Sequence, residues 1–279
     1  MRDMTIASIS ALSFAALAVW PAAAEVAHHQ AGAVTLRSGQ TLAKPWNDRK
    51  GSFRGRAFVS YLQSSSGFDS GGAKTALKDN GRFQGTTFNL FGEYAVSDRW
   101  NAAALVPLQD SRLRTDISRD HWTSLGDVFG WARYRLDQKG AWTPSMAAGV
   151  KLPGTYKSVS GLGDGQTDLD LQGFASRVVG KGGYGAFNAG YRYRAGGISD
   201  EVVFGAQLGW APARAWLLLP GVPGAFGVGS GVPKDFVNLG LSAFRTVGGD
   251  WSAFASYNRV VAGKNTSGAD VWSFGMAFR

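Results

Sequence analysis

The chain has 279 residues, no cysteine and a formal net charge of +9, so no disulfide framework holds it together. Its basic residues form no run with interleaved aromatic residues, which excludes a nucleic-acid-binding protein. Glycine is abundant at 39 residues, charged residues reach only 18%, and no segment after Ala24 has the roughly 18 consecutive apolar residues of a transmembrane helix.

The first 24 residues have the pattern of a secretory signal peptide. Arg2 precedes an apolar run from Ile6 to Val19, and three alanines ending at Ala24 follow it. A basic start, a short apolar core and small residues at the end are typical of a cleavable signal, and the core is shorter than the about 20 residues that span a bilayer. The sequence predicts export with cleavage near Ala24; a buried N-terminal helix is the alternative.

Residues 25–52 are polar and lack sustained periodicity, which predicts a periplasmic lead-in. The adjacent His28 and His29 are of the residue type that binds metals, but no third ligand lies nearby, and a solvated tail is the favoured interpretation. We therefore expect neither a metal ion nor a cofactor.

From residue 53 to the end, about 12 strand-like runs follow one another, each with the two-residue period of a β-strand. In the second run, Phe88, Leu90 and Tyr94 alternate with Asn89 and Glu93. Alternation of this kind predicts strands with two unlike faces. The runs are 55–64, 83–96, 100–107, 126–136, 142–152, a pair within 161–201, then 201–210, 215–219, 236–247, 251–261 and 271–278.

The pair of strands within residues 161–201 is joined by a tight glycine turn. Folding the pair about Lys181 places Asp170 opposite Arg192 and Asp168 opposite Arg194. Unlike charges that are directly opposed across two strands stabilise the pair. One face of this hairpin carries acids, amides and arginines, and the other carries aliphatic and aromatic residues.

The connections and the aromatic residues indicate which face looks outward. Medium to long polar loops alternate with short turns, as in transmembrane β-barrels with short periplasmic turns and longer external loops. Aromatic residues gather at the strand ends, as expected of girdles at two membrane interfaces. They are Tyr94, Trp100, Tyr134, Trp142, Trp210, Trp216 and Trp251 on the periplasmic side, and Tyr191, Tyr193 and Tyr257 on the other.

The predicted fold is therefore an all-β transmembrane antiparallel β-barrel of about 12 strands that occupies residues 53–279. The alternative is an exported sandwich or soluble barrel, but its water-facing positions should be rich in Lys, Glu and Asp, and many here are Gly, Ser, Asn and Gln. Lipid and lipopolysaccharide of the outer membrane are the expected surroundings.

The end of the chain carries a separate signal. Trp272, Phe274, Met276 and Phe278 alternate up to the last residue but one. This resembles the assembly signal of outer-membrane proteins, which implies recognition by the outer-membrane assembly machinery. Arg279 departs from that pattern, because the signal closes with phenylalanine.

Two segments carry a family resemblance. GVKLPGTYKSVSGLGDGQTDLDLQGFASRVV and GYGAFNAGYRYRAGG contain K-x-P, G-x-G-D and GYRYR, and Leu125-Gly126-Asp127 repeats an L-G-D. Over about residues 120–210 the chain resembles the barrel family of outer-membrane proteins named for the meta-cleavage pathway of phenol degradation. The resemblance implies an outer-membrane channel or uptake protein for small solutes, aromatic compounds among them.

An enzyme is the less favoured function. Outer-membrane hydrolases need a serine–histidine pair or a metal, and the one histidine after the lead-in, His121, has Ser118, Ser124 and Asp120 nearby in an external loop. Loop segments with such residues are common, so no catalytic residues are predicted.

A channel requires a polar inward face, and charged rings would set its selectivity. The same residues would instead plug a narrow barrel if they paired across it. A non-conducting barrel that supports polysaccharide secretion, adhesion or envelope structure is the alternative function. The candidates for the lumen and its constriction are Glu93, Arg133, Arg135, Asp168, Asp170, Arg192, Arg194 and Glu201.

Overall fold

The computed structural model describes residues 49–137, 141–155, 165–180, 183–195, 199–213 and 215–278. The predicted signal peptide, nearly all of the lead-in, Lys181 and Arg279 lie outside these residues. Over the described ranges there is no helix with the length and apolar character needed to cross a membrane.

Sixteen strands occupy most of the described chain. They are β1 (Phe53–Ser64), β2 (Ser66–Phe68), β3 (Lys74–Ala76), β4 (Arg82–Ala95), β5 (Trp100–Arg114), β6 (Arg119–Leu125), β7 (Val128–Arg135), β8 (Trp142–Leu152), β9 (Asp168–Val179), β10 (Gly183–Arg194), β11 (Asp200–Trp210), β12 (Trp216–Val228), β13 (Asp235–Gly248), β14 (Trp251–Lys264), β15 (Thr266–Ser267) and β16 (Asp270–Phe278).

Twelve of the described strands close into one antiparallel barrel. Their order is β4-β1-β16-β14-β13-β12-β11-β10-β9-β8-β7-β5, and β5 pairs again with β4. Closure gives each of the twelve strands a partner on both sides, which a spanning sheet requires. β6 extends the wall by pairing with the second half of β5, and β15, β2 and β3 form a separate small sheet. The predicted fold class is confirmed.

Several predicted loops are strand extensions instead. β5 continues past Pro107 to Arg114 and turns into β6, and β12 runs through Pro220 and Pro223 to Val228. Proline lacks an N–H group and is tolerated in a strand where the ladder is interrupted. The pairing of β12 with β11 skips residues 219–220, and its pairing with β13 skips residues 222–223. The wall therefore extends further towards the external loops at β5 and at β12, on opposite sides of the barrel, than the sequence indicated.

The apolar face of the wall is the outer one. Along β1, Phe58, Ser60 and Leu62 are buried while Val59 and Tyr61 are exposed. In a closed barrel the buried positions point into the interior, so side chains such as Leu171 and Phe274, exposed by 57% and 58%, lie on the outside. An apolar outer surface of this extent is typical of a barrel in lipid.

The two ends of the barrel differ, and we name them by their connections. The turn end carries the short turns after β4, β9, β11 and β13, together with residues 49–52 and the end of β16. The connection from β7 to β8 also lies at the turn end, and the loop end carries the connections after β1, β5, β8, β10, β12 and β14. Exposed tryptophans cluster near the turn end, and tyrosines 191 and 193 lie near the loop end, so the two predicted aromatic girdles are present.

Candidate functional site

A group of buried charged side chains lies at the loop end of five neighbouring elements. Because β8 to β11 are antiparallel, the ends of β8 and β10 meet the starts of β9 and β11 there. Each side chain is at most 8% exposed and points inward. We call the group the charged network; its members are Asp127, Lys151, Asp168, Asp170, Arg192, Arg194 and Glu201.

The centre of the charged network is the hairpin of β9 and β10. Arg192 pairs with Asp170 and Arg194 with Asp168 across the two strands, and this predicted register is confirmed. Arg192 Nε donates to Asp170 Oδ1 at 2.8 Å, and its Nη2 donates to Asp170 Oδ2 at 3.2 Å. A bidentate guanidinium–carboxylate pair is among the strongest and most directional contacts that charged side chains make.

Glu201, at the start of β11, joins the two arginines. Arg192 Nη1 donates to Glu201 Oε2 at 2.8 Å, and Arg194 Nη1 donates to Glu201 Oε1 at 3.2 Å. Arg194 Nε also lies 3.6 Å from Asp168 Oδ2. One carboxylate therefore bridges two guanidinium groups, and both arginines are held in fixed positions.

Two members of the charged network were missed by the sequence reasoning. Lys151 Nζ lies 3.0 Å from Asp168 Oδ2 and 3.7 Å from Asp127 Oδ2. Both residues were noted only as parts of the K-x-P and L-G-D motifs. Two features of the sequence could have identified Lys151. The two-residue period of β8 turns this side chain inward, and Lys151 lies opposite Asp168 in the register of β8 and β9.

The charged network is nearly balanced, because it has four carboxylates and three cations. Removing one partner from a buried ion pair leaves an uncompensated charge and costs about 3–5 kcal/mol. Each member is therefore held in place by oppositely charged neighbours. The seven residues together carry a formal charge of −1, which cannot be assigned to any one carboxylate.

The other three predicted lumen residues lie elsewhere. Glu93 ends β4 and Arg133 and Arg135 end β7, so all three are at the turn end. Asn101 Nδ2 donates to Glu93 Oε1 at 2.9 Å. Arg133, which pairs with Asn101 across β5 and β7, is 2% exposed. The structure therefore divides the predicted set between the two ends of the barrel.

An aromatic layer lies between the two groups, so the inward face that the sequence predicted to be polar also carries large apolar residues. Phe244 and Phe254 stack at 4.9 Å between ring centroids, Phe129 stacks on Trp131 at 5.5 Å, and the guanidinium of Arg56 lies 5.5 Å from the ring centroid of Phe91. Large apolar residues occupy inward positions because a barrel of this size is partly filled by side chains. We call this layer the aromatic belt; it comprises Phe58, Phe91, Leu105, Phe129, Trp131, Phe244 and Phe254.

The connection after β1 folds into the mouth at the loop end. Strand β2 pairs with β3 and with β15, forming the small sheet, and Ser267 Oγ donates to Ser64 Oγ at 2.7 Å. Phe68, 8% exposed, packs in one cluster with inward residues of β11 to β14: Val203, Ala225, Phe236 and Val260. We call residues 66–76 the mouth hairpin. Sequence reasoning predicted only a polar loop here.

The residues weighed for catalysis are not gathered into a site. His121 Nε2 contacts the Asp110 carboxylate on the outer side of β5 and β6, and Ser118 Oγ donates to Asp120 Oδ2 at 3.2 Å. In the part of the chain that the structure describes, no cluster of three or more His, Cys, Asp or Glu side chains could hold a metal ion.

Comparison with known proteins identifies the fold. An outer-membrane channel from Pseudomonas putida F1, described as COG4313, is similar with a TM-score of 0.68 and 14% identity over 84% of this chain and 97% of its own. The translocator domain of the autotransporter NalP from Neisseria meningitidis gives 0.55 and 15% over 90% and 94%. The KdgM porin, in complex with disordered oligogalacturonate, gives 0.53 and 6% over 81% and 98%. No family model and no curated protein matches the chain.

At these identities the likeness establishes the fold alone. The chain has the fold and the apolar outer surface of an outer-membrane β-barrel. The resemblance to the family named for phenol degradation stays a prediction, although an outer-membrane channel is among the structures that share the fold.

Proposed function

We propose that the protein is an outer-membrane channel that admits small solutes through a narrow, charged lumen. The observation that carries the proposal is the charged network, because it fixes paired guanidinium and carboxylate groups on one inner wall at the loop end. Charged groups arranged at a pore mouth select solutes by their charge and hydrogen-bonding groups. The shared fold with an outer-membrane channel and a porin supports this function.

The layered interior favours solutes that combine a charged group with an aromatic ring. A solute entering from the loop end meets the charged network first and the aromatic belt next. Guanidinium groups bind carboxylates with matched geometry, and ring faces below them would stack on an aromatic body. Small aromatic acids therefore fit the lumen better than aliphatic ones.

A non-conducting barrel remains the second candidate, and one observation favours it. The inward charges are mutually paired, and the mouth hairpin packs Phe68 against the inner wall. A barrel of 12 strands has an interior width between that of small, fully packed barrels and that of open porins. Paired charges and inserted side chains can fill an interior of this width. Support of polysaccharide secretion, adhesion or envelope structure would need no open lumen.

Conductance of the refolded protein in a planar bilayer separates the two candidates. A channel gives discrete current steps, and we expect added benzoate to lower them more than acetate at equal concentration. Trp131→Ala, which removes one ring of the aromatic belt, should reduce that difference. Absence of current from the wild type and from a variant without the mouth hairpin would reject the channel.

The last strand is proposed as the segment that the assembly machinery recognises. Trp272, Phe274, Met276 and Phe278 all face outward, and β16 closes the barrel by pairing with both β1 and β14. If the first and last strands pair with each other last, the apolar face of β16 stays accessible to the assembly machinery until the barrel closes.

A further inference from the structure

The outer surface of the barrel is basic on one side of its loop end. The cations lie on β3, on β14 and on β4, β5 and β6, with β16 and β1 between β14 and β4, and every one of them is exposed. We call this surface the basic face; its cations are Lys74, Arg82, Arg112, Arg114, Arg119 and Arg259.

The strand registers place the basic face at the level of the lipid headgroups. Arg259, Asp270, Gln63, Gln84 and Arg112 form one continuous row across β14, β16, β1, β4 and β5. A second row of outward residues lies two positions along each strand from the first row, about 7 Å nearer to the turn end. On β14, β16 and β1 the residues of this second row are aromatic. Aromatic girdles lie at the membrane–water interface, so the row of Arg259 lies immediately beyond it.

The adjacent aromatic row consists of Tyr257, Trp272 and Tyr61, paired across the three strands. Tyr257 and Trp272 are in contact, with ring centroids 4.2 Å apart. One row further towards the turn end are Val59 and Phe274, exposed by 42% and 58%. An apolar surface for acyl chains therefore runs directly into the basic face.

A cavity of about 260 Å³ lies in the part of the basic face between β14 and β4. Its lining includes the cations Lys74, Arg82 and Arg259, and the amides of Gln63 and Gln84. The acid that also lines it, Asp270, accepts a hydrogen bond from Tyr257 Oη at 2.6 Å and lies 3.5 Å from Arg259 Nε. Among the described residues neither Lys74 nor Arg82 makes an ion pair, so two of the cations that line the cavity are available to bind an anion.

Among the residues that the structure describes, the rest of the loop end lacks such a surface. On β9 and β10 the outward residues nearest the loop end are Leu169 and Tyr193, each exposed by 53%, and on β11 they are the acid Asp200 and then Val202. The arginines of β10 face inward instead. If these cations served only to solvate the barrel rim, they would be expected all round it, whereas the described outward cations at the loop end lie on one side.

We propose that the basic face binds the phosphorylated headgroup of a lipopolysaccharide molecule, with a phosphate in the cavity between Lys74, Arg82 and Arg259. Guanidinium groups bind phosphate through paired N–H donors, and lysine adds a mobile point charge. The two glutamine amides suit sugar hydroxyl groups, and the aromatic row suits the first carbons of the acyl chains. This inference stands independently of whether the barrel conducts.

Binding of defined lipids to the full-length mature protein in detergent tests the proposal. The probes are diphosphoryl lipid A, the same lipid with both phosphates removed, and inorganic phosphate. The test variant is Lys74→Gln/Arg82→Gln/Arg259→Gln. The control, Lys50→Gln/Arg177→Gln/Arg245→Gln, removes three exposed cations at the turn end.

We expect wild type and control to bind diphosphoryl lipid A equally, and the test variant to bind it about tenfold more weakly, a loss of about 1.4 kcal/mol. Arg82→Lys/Arg259→Lys should retain most of the affinity, because the charges remain. Equal binding by test variant and control, equal binding of the phosphate-free lipid, or displacement of the lipid by an equal concentration of inorganic phosphate would each overturn the proposal.

Folding is checked by heat-modifiable mobility in gels. If the triple variant does not fold, Arg82→Gln alone replaces it, since Arg82 is exposed and makes no ion pair among the described residues. The single variant should then weaken binding about threefold, and an unchanged affinity would contradict the proposal just as clearly.

Discussion

At the scale of single residues, the two arginines of β10 differ from surface charges because each is surrounded by carboxylates. Arg192 and Arg194 share Glu201, and each also faces an aspartate of β9. Replacing both by alanine would leave the charged network with a formal excess of three negative charges. Two charges removed at about 8 Å from a passing ion change its energy by about 1 kcal/mol in a water-like dielectric.

We therefore expect Arg192→Ala/Arg194→Ala to raise the permeability of potassium relative to chloride about thirtyfold, because the change of about 1 kcal/mol favours the cation and opposes the anion, about 2 kcal/mol in the ratio. The reversal potential in a salt gradient measures it. Arg177→Ala, which removes an outward cation at the turn end, is the matched control and should leave selectivity unchanged. Unchanged selectivity together with lost heat-modifiable mobility would show that the charged network serves folding alone.

At the scale of elements, the mouth hairpin is the piece of chain best placed to narrow the entrance. It is anchored by the β2–β15 pairing and by Phe68 in the inner wall of β11 to β14. Replacing residues 67–75 by a two-residue glycine–serine link removes both anchors and the obstruction. Because the barrel strands are all retained, we expect the conductance to rise at least about twofold while the barrel still folds.

The control for this deletion shortens the tip of the β5–β6 hairpin at residues 115–118, which extends from the wall without entering the apolar cluster around Phe68. That variant should conduct like the wild type. Equal conductance of the two variants and the wild type would show that the mouth hairpin does not limit the current.

The sequence predicted the elements whose residues alternate in polarity and missed those that depend on distant partners. The register of Asp170 with Arg192 follows from the two-residue period and the glycine turn alone. The path of β12 through Pro220 and Pro223 depends on gaps in the ladders of its neighbours, which no local pattern reveals. Phe68 likewise lies in a polar loop, and only the closed barrel brings it to Val203 and Val260.

At the scale of the whole molecule, the barrel has an internal order from one end to the other. Charges at the loop end, the aromatic belt in the middle and a second charged group around Glu93 and Arg133 follow one another along its axis. The order has a functional meaning only if the loop end faces the outside of the cell, since a solute would then meet the charged network first. The short turns and the position of residues 49–52 at the other end predict this orientation.

Cysteine labelling tests the orientation directly, because the chain has no cysteine of its own. Ser230, between β12 and β13, is exposed at the loop end, and Asp250, between β13 and β14, is exposed at the turn end. We expect a membrane-impermeant maleimide to label Ser230→Cys on intact cells and Asp250→Cys only after the outer membrane is opened. An exposed thiol reacts through its thiolate, so equal labelling of both unfolded variants controls for intrinsic reactivity. The opposite pattern would place the charged network at the inner mouth, and the proposed order of contacts during uptake would be reversed.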